Sequence, residues 1–185
     1  DDLYMSVPFL IRYYAYSGNE EYLEDAVRQV QNFHKRLFSE TTELYHHCWY
    51  AEYDTHGVAH WGRANGWVAM AVCDLLDIMP VTHPVRDEII GILRRQIVGF
   101  SRYQTQNGMW RQLLKKEDAW LESSVTAMFS YAVARAVNMG WIDNIYSSIA
   151  VNGWRGLVGN ISSEGEPDNV STGFNIKQDL PFYYN

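Results

Sequence analysis

Apolar residues recur every three to four positions in six separate stretches of the chain, the spacing of one buried helix face. Leu3, Val7, Leu10, Ile11 and Tyr14 predict a helix over 3–16, which Ser17-Gly18-Asn19 ends. Tyr22, Leu23, Ala26, Val30, Phe33 and Leu37 predict a second over 20–38, with acidic residues in its first turn to suit the helix dipole. A third is expected over 66–79, stopping before Pro80. The fourth, 84–104, turns Val85, Ile89, Ile92, Leu93, Ile97 and Phe100 inward. The fifth, 122–138, is rich in small residues (Ser123, Ser124, Ala127, Ala132, Ala134, Ala136), which would let helices approach closely. The sixth, 143–159, carries Ile145, Ile149, Trp154, Leu157 and Val158.

The pattern breaks in two places. Residues 39–65 are polar and aromatic with no period of their own, and loops this long in a compact domain tend to be functional. The second break, Asn107 to Leu113, alternates in polarity and suggests a short extended piece. Each unit therefore reads as a helix, an elaborate loop, a helix and a short link, repeating at a spacing of roughly 60 residues. Stacked αα-hairpins with their long loops at one end describe an all-α protein, an (α/α)6 six-hairpin toroid. Six helices make half of such a ring, read here as one domain, 1–185, and half a ring should leave an apolar edge exposed. The chain opens on Asp1-Asp2 already inside a helical pattern, so a longer protein with earlier hairpins is expected.

Composition narrows the partners. Apolar residues make up 47% and charged residues 20%, ordinary for a globular domain. The net charge of −7 argues against a nucleic-acid partner, because Arg94-Arg95 and Lys115-Lys116 are too short to form a phosphate-binding patch. No stretch approaches the ~18 apolar residues of a membrane span, so no membrane partner is expected. Cys48 and Cys73 imply no disulfide framework, and the compartment stays open.

Seven tryptophans and thirteen tyrosines are many for this length, and two tryptophans fall in His60-Trp61-Gly62-Arg63-Ala64-Asn65-Gly66-Trp67. Trp61 and Trp67 offer flat apolar faces, and Arg63 offers a planar fork suited to a carboxylate. Aromatic platforms beside a guanidinium fit an acidic sugar. The ordinary alternative is that both rings are core, Arg63 pairs locally and Asn65 shapes a turn. His46, His56 and His60 lack metal-site spacing and are expected to hydrogen-bond within the loop, so no metal is expected. Glu122, opening an apolar helix, is expected to serve the helix dipole rather than catalysis. Trp110 could line the mouth of the ring or pack beneath it.

Five elements in order resemble one family: DDLYMSVPF, the H-C-W of 47–49, HWGRANGW, WLESSVTAMFSYAVARAVNMGW and VSTG…DLPFYYN. They are similar to the unsaturated rhamnogalacturonyl hydrolases (glycoside hydrolase family 105), relatives of the unsaturated glucuronyl hydrolases of family 88. The resemblance implies an (α/α)6 barrel that removes a terminal 4,5-unsaturated galacturonic acid from pectin-derived oligosaccharides by hydrating its vinyl ether. It implies no cofactor. It puts the proton donor at Asp1, with Asp2 standing where many relatives have glycine. It implies substrate contacts from His47, Arg63 and Trp67 and a closing loop at Ser171-Thr172-Gly173, and Trp61, Asn65 and Thr172 join that candidate set. The family's second acidic residue has no counterpart in this chain, so the chain alone is expected to be inactive. The alternatives are a glucuronyl hydrolase acting on glycosaminoglycan disaccharides and a non-catalytic toroid that binds acidic oligosaccharides.

Overall fold

The computed structural model of the protein describes residues 1–173 and 175–184; Phe174 and Asn185, the last residue of the DLPFYYN tail, lie outside the described residues. Six helices follow one another: α1 (Asp2–Ser17), α2 (Glu20–Leu37), α3 (Gly62–Ile78), α4 (Arg86–Ser101), α5 (Ser123–Asn138) and α6 (Ser147–Val158). The odd helices begin at residues 2, 62 and 123, so the repeat read from the sequence is the repeat of the fold.

α1, α3 and α5 lie side by side as an inner row, backed by α2, α4 and α6 respectively. The short links α1–α2, α3–α4 and α5–α6 lie at one end. The long segments 38–61 and 102–122 and the C-terminal tail lie at the other, over the N-termini of the inner helices. A continuous core runs through the row, including Val7, Ile11, Val72, Leu76, Phe129 and Val133. Phe100 of α4 stacks on Phe129 with ring centroids 3.8 Å apart. The two outermost helices carry exposed apolar residues: Met5, Phe9 and Tyr16 on α1 and Val151, Trp154 and Val158 on α6. Among the described residues no helix is long and apolar enough to cross a membrane.

α3 starts a full turn earlier than the spacing predicts, and the reason is tertiary. Glycine and asparagine are poor helix formers, so Gly62–Asn65 reads as loop in isolation. In the fold Trp61 bridges to Leu113, and the Gly62 N–H donates to the Gln112 carbonyl at 2.7 Å. A Cβ on Gly66 would sit 2.5 Å from Met128 Sδ, so the glycine lets α3 lie close against α5.

The loop 38–61 folds into two small antiparallel pairs, β1 (Phe38–Ser39) with β2 (Leu44–Tyr45), and β3 (Trp49–Tyr50) with β4 (Thr55–His56). The alternating piece becomes β5 (Trp110–Arg111), paired with β6 (Leu121–Glu122). Trp110 packs beneath the ring mouth, fully buried, and its indole N–H donates to the Phe100 carbonyl at 2.8 Å. The β1–β2 turn presses on α4 at Gly99, where a Cβ would lie 2.1 Å from the Glu43 carbonyl oxygen. That obstacle is backbone and cannot swing away. Gly99→Ala is therefore expected to lower stability by about 1–3 kcal/mol, the range of core overpacking, read as a shift of the urea midpoint. An unchanged midpoint would mean that the turn is free to lift.

Candidate active site

The loop end of the inner row encloses a cavity of about 320 Å³. Asp1 and Asp2 at the start of α1, Trp67 in the second turn of α3, and His47 and Trp49 from the loop between α2 and α3 line it, with Arg36 from the last turn of α2. Each is placed by local structure. The Asp1 carbonyl accepts from the N–H groups of Tyr4 and Met5 and so opens α1, while its carboxylate makes no capping bond. Buried Leu3 and Val7 pin that first turn to the core. Trp67 rests its ring on Tyr4 with centroids 4.6 Å apart. The His47 N–H donates to the Ala59 carbonyl at 2.9 Å, holding the loop against the entry to α3.

The electrostatics of the cavity are mixed. Burial, and then the N-terminal ammonium, push His47 down to about 4, with Asp2 opposing, so the ring is neutral at ordinary pH. Among the described residues Arg36 is the one lysine or arginine on the cavity wall, and its guanidinium lies over the Trp49 ring at 4.5 Å. Sequence reasoning passed over Arg36, Asn32 and Trp49 as lining residues. The signal was the i, i+4 pair Asn32 and Arg36 at the C-terminus of α2, followed by the tryptophan of H-C-W.

Four of the six expected contact residues do not line the cavity. Trp61 is 1% exposed and sits edge-to-face on His47 at 4.8 Å, part of a small cluster with Ala59, Leu113 and Tyr183. Asn65 is fully buried: its carboxamide accepts from the Tyr45 N–H at 2.8 Å and donates to the Tyr45 and Trp61 carbonyls. It therefore staples β2 to α3 under the cavity. Arg63 does not line the cavity either. Its Nε donates to Ser124 Oγ at 2.9 Å, and its Nη2 donates to the Ser171 carbonyl and pairs with Glu122 at 3.5 Å. Thr172 is exposed in the tail beside the buried Ser171.

Glu122 is the hub of that arrangement. Its side chain is fully buried and accepts from the N–H groups of Ser124 (3.1 Å), Val125 (2.7 Å) and Ser171 (3.0 Å), and from the Ser124 hydroxyl. It caps α5 and clamps the tail at once. His46, His56 and His60 form a stack with centroids 4.5 Å and 4.3 Å apart. Each directs one ring nitrogen at a backbone carbonyl, of Gly57, Arg36 and Tyr45 respectively. Burial pushes His60 down to about 4 and His46 downward too. Among the described residues no group of three His, Cys, Asp or Glu side chains is placed to hold a metal ion.

Inner helices that aim their N-termini at a cavity under elaborate loops define three hairpin units of an α/α toroid with its pocket at the loop end. The profile of Glycosyl Hydrolase Family 88 matches residues 1–185, and the chain belongs to that family. It is 29% identical over 185 residues to the unsaturated rhamnogalacturonyl hydrolase YesR of Bacillus subtilis, covering 99% of this chain and 52% of the relative. It is 33% identical over 165 residues to protein Atu3128 of Agrobacterium fabrum, covering 82% of this chain and 69% of the relative. The crystal structure of a possible member of the GH105 family from Salmonella enterica serovar Paratyphi A superposes with a TM-score of 0.94 at 31% identity, covering 98% of this chain and 49% of that one. The chain thus spans about half the length of YesR and of the Salmonella protein.

Proposed function

We propose that this chain carries the proton-donor side of a glycoside hydrolase that removes a terminal 4,5-unsaturated galacturonic acid from pectin-derived oligosaccharides. The observation that carries the reading is the cavity itself, which gathers a carboxylate pair, a neutral histidine and an aromatic wall at the mouth of the ring. The name of the Bacillus relative supports the same chemistry.

The reaction is hydration of a vinyl ether. Protonated Asp1 delivers its proton to C4 of the C4=C5 double bond, and the cation that forms at C5 is stabilised by the ring oxygen. Water adds at C5 and returns a proton to the carboxylate. The product is a hemiketal, which collapses, opens the ring and frees the neighbouring sugar. A donor for this step must hold its proton near neutral pH, which a nearby second carboxylate favours where burial does not, since Asp1 and Asp2 are both exposed. Asp2 is adjacent, whereas an α-ammonium on Asp1 acts the other way, since a cation favours the ionised carboxyl. Trp67 supplies an apolar face for the sugar, and Arg36 supplies the cation of the wall. Arg63 holds Ser171 and with it the Thr172 loop, which stays our candidate for a cover over the bound sugar.

Unsaturated galacturonyl-rhamnose is the test substrate, followed by loss of the ultraviolet absorbance of its conjugated double bond and by release of rhamnose. The assay is run on the 185-residue chain and on the complete product of its reading frame. Turnover is expected in the second and not in the first, whose Asp1 carries a free α-ammonium. Turnover confined to unsaturated chondroitin disaccharides would replace the pectin reading by the glucuronyl one. Binding of both without loss of absorbance would leave a non-catalytic toroid.

A further inference from the structure

His47 lines the cavity and meets the C-terminal tail through its Nδ1. Its Nδ1 lies 2.8 Å from the hydroxyl of Tyr183, a residue 136 positions later in the chain. Tyr183 is 1% exposed and enters on the 3-10 turn Leu180–Tyr184. Its carbonyl accepts from the side chain of Gln112 at 2.7 Å, and Gln112 is itself fully buried. The tyrosine is thus held from both ends, and its ring stands edge-to-face on the imidazole at 5.5 Å.

A phenol carries one proton, and its destination decides the state of the histidine. The Lys177 N–H donates to the Tyr183 oxygen at 3.3 Å, which satisfies a lone pair of that oxygen. Among the described residues, the Lys177 carbonyl at 3.4 Å and His47 Nδ1 at 2.8 Å compete for the phenolic proton. The first is at the limit of a hydrogen bond and the second is at the usual length for an O–H donor. The imidazole nitrogen is also the more basic acceptor. Burial raises the Tyr183 phenol and lowers His47, so neither shared ionisation nor an imidazolium intervenes.

We propose that Tyr183 is a positioning residue that holds His47 as the Nε2-protonated tautomer, so that the cavity meets a fixed hydrogen-bond donor aimed at an oxygen of the sugar. Among the described residues no acceptor meets Nε2, which leaves that N–H for a ligand in the cavity. The opposite tautomer would offer the sugar an acceptor and would have to bond the phenol as a donor at Nδ1. The inference rests on reading the cavity as the sugar site only for its catalytic consequence; the tautomer stands on the contacts alone.

The experiment is a two-bond proton–nitrogen correlation spectrum of the full chain labelled with nitrogen-15 at histidine, with the His47 signals assigned by loss in His47→Gln. The wild type is expected to show Nδ1 bare and Nε2 protonated. Tyr183→Phe keeps the ring and its packing, removes the phenolic proton, and is expected to move the His47 pattern towards a tautomer mixture. In the active full-length protein the same variant is expected to lower kcat/KM about threefold to tenfold, the loss of one neutral hydrogen bond. A wild-type spectrum with Nδ1 protonated overturns the proposal without any variant. So does a Tyr183→Phe spectrum that matches the wild type in a folded protein. Absence of turnover in the wild type would fell the functional reading and leave the tautomer result as it stands.

Discussion

Asp1→Asn, made in the complete protein, is expected to reduce turnover of unsaturated galacturonyl-rhamnose by about 10²–10⁴-fold, the span that a positioned general acid contributes. Asparagine keeps the size of the side chain and removes the transferable proton, so the affinity for substrate should change little. The position supports this assignment: the carboxylate of Asp1 makes no capping bond to α1, and Asp1 lines the same cavity as Trp67 and His47. Asp2 is the control. It also lines the cavity, but it sits in the first turn of α1, where a negative charge already favours the helix dipole. Asp2→Asn is expected to weaken turnover less than Asp1→Asn, because it leaves the proposed donor in place. The reverse ranking would move the donor to Asp2. Full activity in both variants would remove proton donation from this end of α1 altogether.

The largest structural effect is expected at Glu122. Its buried carboxylate receives three backbone N–H groups and the Ser124 hydroxyl, with Arg63 at 3.5 Å. Glu122→Ala leaves those donors without an acceptor and strands a guanidinium whose side chain is only 16% exposed. Truncating one side of a buried, hydrogen-bonded charge pair costs about 3–5 kcal/mol, and that is the loss expected in urea unfolding. Glu122→Gln should cost less, since one oxygen remains as an acceptor while the new amide faces donors. Because Ser171 is held through Glu122 and Arg63, both variants should also raise proteolytic cleavage of the segment 160–173 before the helices unfold. A loss below about 1 kcal/mol for Glu122→Ala would mean that water replaces the carboxylate easily, contrary to its burial.

Much of this protein was open to inspection in its linear order. The period of apolar positions located all six helices within a few residues, because each buries one face and leaves the other to solvent. The 60-residue repeat and the placement of the long loops at one end followed from spacing alone. The sequence placed Glu122 as a first-turn carboxylate serving the helix dipole; the structure puts it one residue earlier, as the cap that accepts from the N–H groups of Ser124 and Val125.

Other features depended on which segments meet. Gly62-Arg63-Ala64-Asn65 became helix because Gln112 and Leu113, just past β5, met its start, and no local propensity reports such a partner. Trp61 and Asn65 went beneath the cavity rather than onto its wall, and the fork of Arg63 was taken by Glu122 and the tail. Exposed and buried tryptophans are identical in a sequence; only packing separates them. Arg36 and Tyr183 entered the site from α2 and from the C-terminus, 11 residues before His47 and 136 after it. Linear order settles the helices, their repeat and the residue types that can handle an acidic sugar, because those depend on neighbours within a turn or a loop. Which of these side chains line the cavity and which hold it together is settled by packing, because that depends on contacts between segments whose separation along the chain carries no signal of their meeting.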